Sequence, residues 1–211
     1  DTITVIGYNV GFNSVTVGQN LTLTEGILNI KADGTFTFDP ADDYTGNVPT
    51  ITYTISDGNL ATTSTLDREV TPTNDAPNLV ADVKIIDEDT TLTIDANGGL
   101  LSNDSDIDVG DSLTITEFKV NGQTIIVDPT TGGTTTITNV GDITINADGS
   151  YTFTPILNYN GNVPTITYTV SDNTTTANST LNIEVRPIND APDLVDDVNI
   201  TTEDTPLTVT K

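Results

Sequence analysis

Residues 46–58 read GNVPTITYTISDG, and residues 161–173 read GNVPTITYTVSDN, a return after 161 − 46 = 115 residues. Within each stretch Ile, Tyr and then Ile or Val alternate with Thr and Ser. That period of two turns one set of side chains toward a core and the other toward solvent, as in a half-buried β-strand. Ile166, Tyr168 and Val170 are therefore expected to be plain core rather than the lining of a ligand pocket.

The same offset governs the flanking sequence. TNDAP ending at Pro77 returns as INDAP ending at Pro192, ADGTFTF from Ala32 returns as ADGSYTF from Ala147, and EDTTLTI from Glu88 returns as EDTPLTV from Glu203. Self-similarity at a fixed period is the signature of a tandem array. One unit, residues 78–192, is complete, bounded by Pro- and Asn-containing stretches where a strand cannot continue. Residues 1–77 form a first repeat lacking its N-terminal strands, with Asp1 aligning near Asp111 to Leu113, and residues 193–211 begin a third.

In the complete unit, alternation and turn residues predict strands over 79–86, 90–95, 113–120, 123–127, 142–146, 150–154, 165–171 and 178–186, with further pairing around 134–138. Ala147-Asp148-Gly149 and Asn121-Gly122 supply residues that tolerate positive φ and read as hairpin turns. About eight short strands at this spacing predict an all-β fold of tandem Greek-key sandwiches, immunoglobulin- or cadherin-like. The abundance of Thr, Val and Ile, β-branched residues that suit a pleated surface, agrees.

Composition removes whole classes of function. The chain has no Cys, Met, Trp or His, so it has no thiol nucleophile, no imidazole base and no zinc site of the usual kind. Six basic residues against 31 acidic ones give a formal net charge of −25, which repels phosphate backbones and anionic lipid and attracts cations. Nucleic acid is excluded as a partner on this ground. No signal peptide and no apolar run of membrane-spanning length is present, so direct membrane insertion is not expected, and any export signal is expected outside this stretch. The apolar fraction and its ordered alternation argue against a disordered chain.

Sandwich topology predicts where the carboxylates gather. The loop 97–111 and Asp172 fall at the end where the chain enters the complete unit, beside Asn74 and Asp75 of the linker. Asp104, Asp106 and Asp108 lie in that loop, and Asp39, Asp42 or Asp43 of the first unit are within reach. Glu88 and Asp89 fall at the opposite end with the loop 158–160, near the exit linker Asn189-Asp190. Crowded carboxylates repel and call for a cation. Calcium suits them, being a hard ion that accepts six to eight oxygens, amide and backbone carbonyls included, whereas magnesium keeps its waters. The spacing Asp104-x-Asp106-x-Asp108 is not an EF-hand, because Val109 stands where that loop needs Gly and Ile115 where it needs Glu. The bland alternative is that these Asp residues are solvated turn formers.

The order DEDT, LLSNDSDIDVGDSLTIT, NADGSYTFTP, YNGNVPTITYTVSD and PINDAP (residues 87–192) resembles the cadherin-like repeats of large bacterial surface proteins, RTX-type biofilm adhesins among them. The resemblance implies export to the bacterial cell surface, a long array of copies, and Ca2+ between or within modules. Asn-Asp-Ala-Pro resembles the calcium-binding linker of animal cadherins, which implies ligand roles for Asn74, Asp75, Asn189 and Asp190. Leu66-Asp67-Arg68-Glu69 has the look of a cadherin calcium motif, but at the 115 offset it aligns with 181–184, inside the last strand, and is set aside.

The expected function is a spacer, not an enzyme. Its partners are neighbouring repeats of the same polypeptide, and calcium at the junctions stiffens it. A glycan- or protein-binding module is the main rival, with Tyr8, Tyr44 and Tyr159 as the few aromatics to stack on a sugar; a carboxylate-pair glycosidase is a distant third. A third course is a homotypic head-to-tail contact, because residues 193–211 match the two opening strands absent from the first repeat and could add to its edge in another molecule. The alternative is frayed ends.

Overall fold

The computed structural model describes residues 2–192 and 200–208. The chain divides into two compact units. The first comprises residues 1–79 together with the loops 103–114 and 169–178; the second comprises 80–102, 115–168 and 179–211. The two loops group with the first unit because they close around the linker residues that follow its last strand.

Seven strands build the first unit: β1 (Thr4–Val10), β2 (Asn13–Val15), β3 (Asn20–Leu23), β4 (Gly26–Ile30), β5 (Phe36–Pro40), β6 (Gly46–Ser56) and β7 (Ala61–Val70). They form two sheets, ordered β2-β1-β6-β7 and β3-β4-β5. Val5, Tyr8, Val10, Leu28, Ile30 and Ile51 make the buried core between them. Tyr8 and Val10 on β1 and Leu28 and Ile30 on β4 follow the pleat, while a bulge between Val5 and Gly7 turns Val5 inward as well. At Gly26, where β4 begins, φ is +147°, and an added Cβ would run into the Asp39 carbonyl on β5. Gly141, its repeat equivalent (26 + 115), meets the Thr154 carbonyl in the same way at φ +158°.

The complete repeat contributes β8 (Asp82–Asp87), β9 (Leu92–Ile94), β10 (Thr114–Val120), β11 (Gln123–Ile126), β12 (Gly133–Ile137), β13 (Gly141–Ile145), β14 (Tyr151–Pro155), β15 (Gly161–Asn162), β16 (Ile166–Ser171) and β17 (Thr176–Arg186). One sheet runs β11-β10-β16-β17-β15 with β8 also on β17, and the other runs β12-β13-β14-β9. Ile166, Tyr168 and Val170 are fully buried, as the alternation requires. So are Ile143, Ile145, Phe153 and Leu181.

Three departures from the sequence reading have local causes. The opening strand starts at Asp82 rather than residue 79, because Asn78 is held in an isolated bridge with Ser105. The pairing around 134–138 is a full strand, β12, registered on β13 from Gly133 opposite Ile145 to Ile137 opposite Gly141. The two-residue β15 is too short to show a period, and β8 runs parallel to β17, with Leu181 opposite Asp82 and Arg186 opposite Asp87. Both predicted hairpin turns are present: Asn121 and Gly122 have φ of 50° and 79°, and Gly149 has φ of 83°. Of the proposed third repeat, residues 193–199 and 209–211 lie outside the described residues, and 200–208 carry no strand.

Candidate metal centre

Asp172 follows β16, in the turn that leads to β17. Its carboxylate is 2% exposed and carries four hydrogen bonds. Oδ1 accepts the backbone N–H groups of Thr174 and Thr175, each at 2.6 Å; Oδ2 accepts the Thr175 hydroxyl at 2.7 Å and the Asn74 amide at 3.0 Å. Donation by Thr175, aided by Asn74 and Thr174, holds the Asp172 carboxyl far below the usual carboxylate range, against burial that pushes it up. Asp172 is thus kept ionised.

The loop between the 3-10 turn Ala96–Gly98 and β10 brings further carboxylates to it. Gly99 and Gly149 make this approach close: Leu100 donates its N–H to the Gly149 carbonyl at 2.9 Å, and an added Cβ on Gly99 would collide with that oxygen. Beyond this anchor, Asp106 Oδ1 accepts the Asp108 N–H at 2.9 Å, and Asp108 Oδ2 accepts the Asp75 N–H of the linker at 2.7 Å. The Asp111 N–H reaches the Asp108 carbonyl at 3.3 Å across a turn with Gly110 at φ +103°, which folds Asp111 back toward the others. Carboxylate oxygens of Asp106, Asp111 and Asp172 all lie within 4.8 Å of one another.

This cluster is built from segments without basic residues. The sequence has no Lys or Arg at residues 69–83, 85–118 or 120–185, and the ion pairs Lys119–Glu117 and Arg186–Glu184 lie elsewhere. Partial desolvation pushes the Asp111 carboxyl above the usual range, although the residue as a whole is exposed, and the charges of Asp106, Asp108 and Asp172 add to the rise. Asp106 Oδ2 is buried and has no hydrogen-bond partner. A buried carboxylate oxygen without a donor is a costly arrangement that a bound cation relieves. Three carboxylates form an all-oxygen donor set, which fits a hard divalent ion.

Of the residues singled out in the sequence, Asn74, Asp75, Asp106, Asp108 and Asp172 are brought together. Asp104 is half-buried in the same loop. Asp43 joins Asp75, Asn78 and Asp106 in lining a surface hollow. Asp111 was not among the candidates. Its signal was present, as the fourth Asp of the run 104–111, but its part depends on the tight turn at Gly110.

Glu88, Asp89, Asn189 and Asp190 belong to the second unit and are arranged differently. Buried Glu88 accepts the Ile188 N–H on Oε1 at 2.7 Å and the Asn160 amide on Oε2 at 3.0 Å. Asp89, at φ +60°, accepts the Asn158 N–H at 2.8 Å. The Asn189 amide donates to the Asp190 carbonyl at 2.9 Å, just as Asn74 donates to Asp75 at 2.6 Å.

Paired sheets in successive repeats define a tandem β-sandwich of the cadherin- or immunoglobulin-like class. The chain belongs to the bacterial cadherin-like domain family, whose model matches residues 74–187; a cadherin-like domain model matches residues 10–71. Human protocadherin-24 EC1-2 is similar at 17% identity, over 91% of this chain and 84% of that one, with a TM-score of 0.51. Drosophila N-cadherin EC1-4 matches at 13% identity over 88% of this chain and 42% of that one, TM-score 0.33. The endo-fucoidan hydrolase MfFcnA4 from glycoside hydrolase family 107 matches at 19% identity and TM-score 0.33, over 89% of this chain. This chain spans about a quarter (24%) of that hydrolase. At 17% identity the likeness to protocadherin-24 is one of fold. A search of curated proteins returns no match. No helix among the described residues is long and apolar enough to cross a membrane.

Proposed function

We propose that this chain is a calcium-binding spacer module of a large secreted bacterial surface adhesin of the RTX type, with the ion stiffening the junction between repeats. The observation that carries this reading is the convergence of Asp106, Asp111 and Asp172 within 4.8 Å, with Asp106 Oδ2 buried and without a donor. Asp106, Asp111 and Asp172 would hold the ion, with Asp104, Asp108, Asp75 and the Asn74 carbonyl oxygen as further ligands. Calcium supplies the positive charge that lets these groups stay ionised side by side, and a ligand set that includes the linker ties the linker to the loops. Asn189 and Asp190 take the part of Asn74 and Asp75 toward a following repeat, and Glu88 and Asp89 form the exit-side support. Weak sites are sufficient: extracellular modules bind in the range of about 10⁻⁴ to 10⁻³ M, and calcium at about ten times the dissociation constant adds about 1.4 kcal/mol per site.

Small-angle scattering with calcium and with EDTA tests the reading. A longer maximum dimension in calcium is the expected result. An unchanged dimension, together with no calorimetric binding signal, removes it.

A further inference from the structure

The sequence contains three Asn-Gly steps, at 97–98, 121–122 and 160–161. Glycine has no Cβ, so its backbone nitrogen can approach the side chain of the preceding residue unobstructed, and Asn is a chemically labile side chain. The fold treats the three steps differently.

At 97–98 the attacking nitrogen is occupied. Gly98 closes the 3-10 turn Ala96–Gly98, and its N–H is shared between the Asp95 carbonyl at 3.3 Å and Asp95 Oδ1 at 3.2 Å. At 160–161 the leaving group is held: the Asn160 amide donates to Glu88 Oε2 at 3.0 Å, and Gly161 opens β15 opposite Val185. At 121–122 neither restraint exists. Among the described residues no hydrogen bond engages the Asn121 amide or the Gly122 N–H, both residues are exposed, and an added Cβ on Gly122 would meet nothing within 4 Å. The pair forms the two-residue tip between β10 and β11, with Val120 opposite Gln123 and φ of +50° and +79°. β11 is an edge strand of four residues, three of them exposed, so local opening readily frees Asn121 from its left-handed conformation. The equivalent tip of the first repeat, between Val10 and Asn13, is Gly11-Phe12 and carries no amide side chain.

We propose that Asn121 is a site of spontaneous deamidation and the first in the chain to react. The Gly122 nitrogen gives its proton to hydroxide and attacks Asn121 Cγ. The new N–Cγ bond replaces the Cγ–Nδ2 bond, and Nδ2 leaves as ammonia with a proton from water. Water then opens the resulting succinimide. Addition at the former side-chain carbonyl gives aspartate at position 121; addition at the backbone carbonyl gives isoaspartate, which adds a methylene to the main chain. Both products are anionic at neutral pH. With the longer main chain the two-residue turn no longer fits between Val120 and Gln123, and β11 loosens from β10.

Peptide mass spectrometry on the full chain, held at mildly alkaline pH and sampled over time beside a urea-unfolded control, tests the proposal. In the folded chain the peptide with Asn121 should convert at least about tenfold faster than those with Asn97 and Asn160, and in urea the three rates should converge. Asn121→Gly places at the tip the residue that the first repeat uses, and should abolish the earliest charge change while the chain stays folded. The isoaspartate fraction, separated by ion exchange, should lose hydrogen-exchange protection over β11. Conversion of Asn97 or Asn160 as fast as Asn121 in the folded chain overturns the proposal, as does an Asn121 that stays intact while the unfolded chain converts. The same rate order in urea would trace the preference to sequence neighbours and would overturn it too, and unchanged protection of β11 would overturn the loosening.

Discussion

Asp57 and Asp172 occupy the same position in successive repeats, and the contrast between them shows how a turn becomes a site. Each caps its turn in the same manner. Asp57 Oδ1 accepts the N–H groups of Asn59 and Leu60 at 2.8 Å, and Asp172 Oδ1 accepts those of Thr174 and Thr175. Both carboxyls are held below the usual range, Asp57 by Leu60 and Asn59, and Asp172 chiefly by Thr175. The serine before each repeats too: Ser56 donates to Leu60 and Ser171 to Thr175. What differs is the company. Asp172 is covered by the linker Asn74 and the loop carrying Asp106, Asp108 and Asp111, while Asp57 is half-buried. The local motif makes an ionised carboxylate; only long-range partners bring other carboxylates to it.

The contrast between the repeats can be tested directly. The largest expected effect lies in the two cores. Tyr168→Ala removes a fully buried ring and leaves Asp82 without its hydroxyl donor, so it should cost about 3–5 kcal/mol. Tyr53→Ala, at a half-buried site, should cost less than half as much. Denaturant unfolding that resolves the two transitions checks this, and equal losses would mean that the two cores are closed alike.

Metal binding comes next. Asp172→Asn is expected to weaken calcium binding at least about tenfold, and Asp57→Asn to leave it unchanged, by calorimetry. Loss of binding in Asp57→Asn alone would move the site to the first repeat.

Acidification separates the members of the cluster. Asp111, its carboxyl raised, binds its proton before Asp172, its carboxyl lowered, as pH falls. Calcium affinity should therefore begin to fall while Asp172 is still ionised, and Asp111→Asn should abolish that first step. For the metal-free fold the signs are opposed. The hydrogen bonds of Asp172 contribute stability that is full above its unfolded value and is lost as pH falls through its lower folded value. Asp111 favours its protonated form in the fold, so it costs stability above its raised value, and that cost is relieved as pH falls toward the unfolded value. Calorimetric titrations from neutral pH downward, with and without calcium, read both trends.

The smallest effect should come from a pair the repeats share at the surface. Thr50 donates to Asp67 at 2.7 Å, and Thr165 to Asn182 at 2.9 Å, both exposed. Thr→Val at either position should shift stability by no more than about 0.5 kcal/mol. A larger loss at one of them would reveal a partner that the repeat register does not show.

Much of the architecture was legible before any coordinates because strand alternation and turn chemistry are local. Asn121-Gly122 dictates its hairpin through residues that accept positive φ, and Ile166, Tyr168 and Val170 announce their face through period two. The short β15, the start of β8 at Asp82 and its parallel pairing with β17 were not legible, since each depends on which strand lies alongside. The candidate site divides in the same way. Asp104, Asp106, Asp108 and Asp172 stand out as acidic turn residues, but Asp111 joins them only through the turn at Gly110. Glu88 looks like one more ligand in the sequence, yet both its oxygens already accept donors from Asn160 and Ile188.

By itself the sequence determined the repeat period, the all-β class, the core faces and the anionic character of the loops, because those properties belong to residues and their near neighbours. The tertiary structure alone decided which carboxylates meet and which are already satisfied by the chain. Distances between groups far apart in the chain are set by packing and by backbone hydrogen bonds that no local pattern encodes.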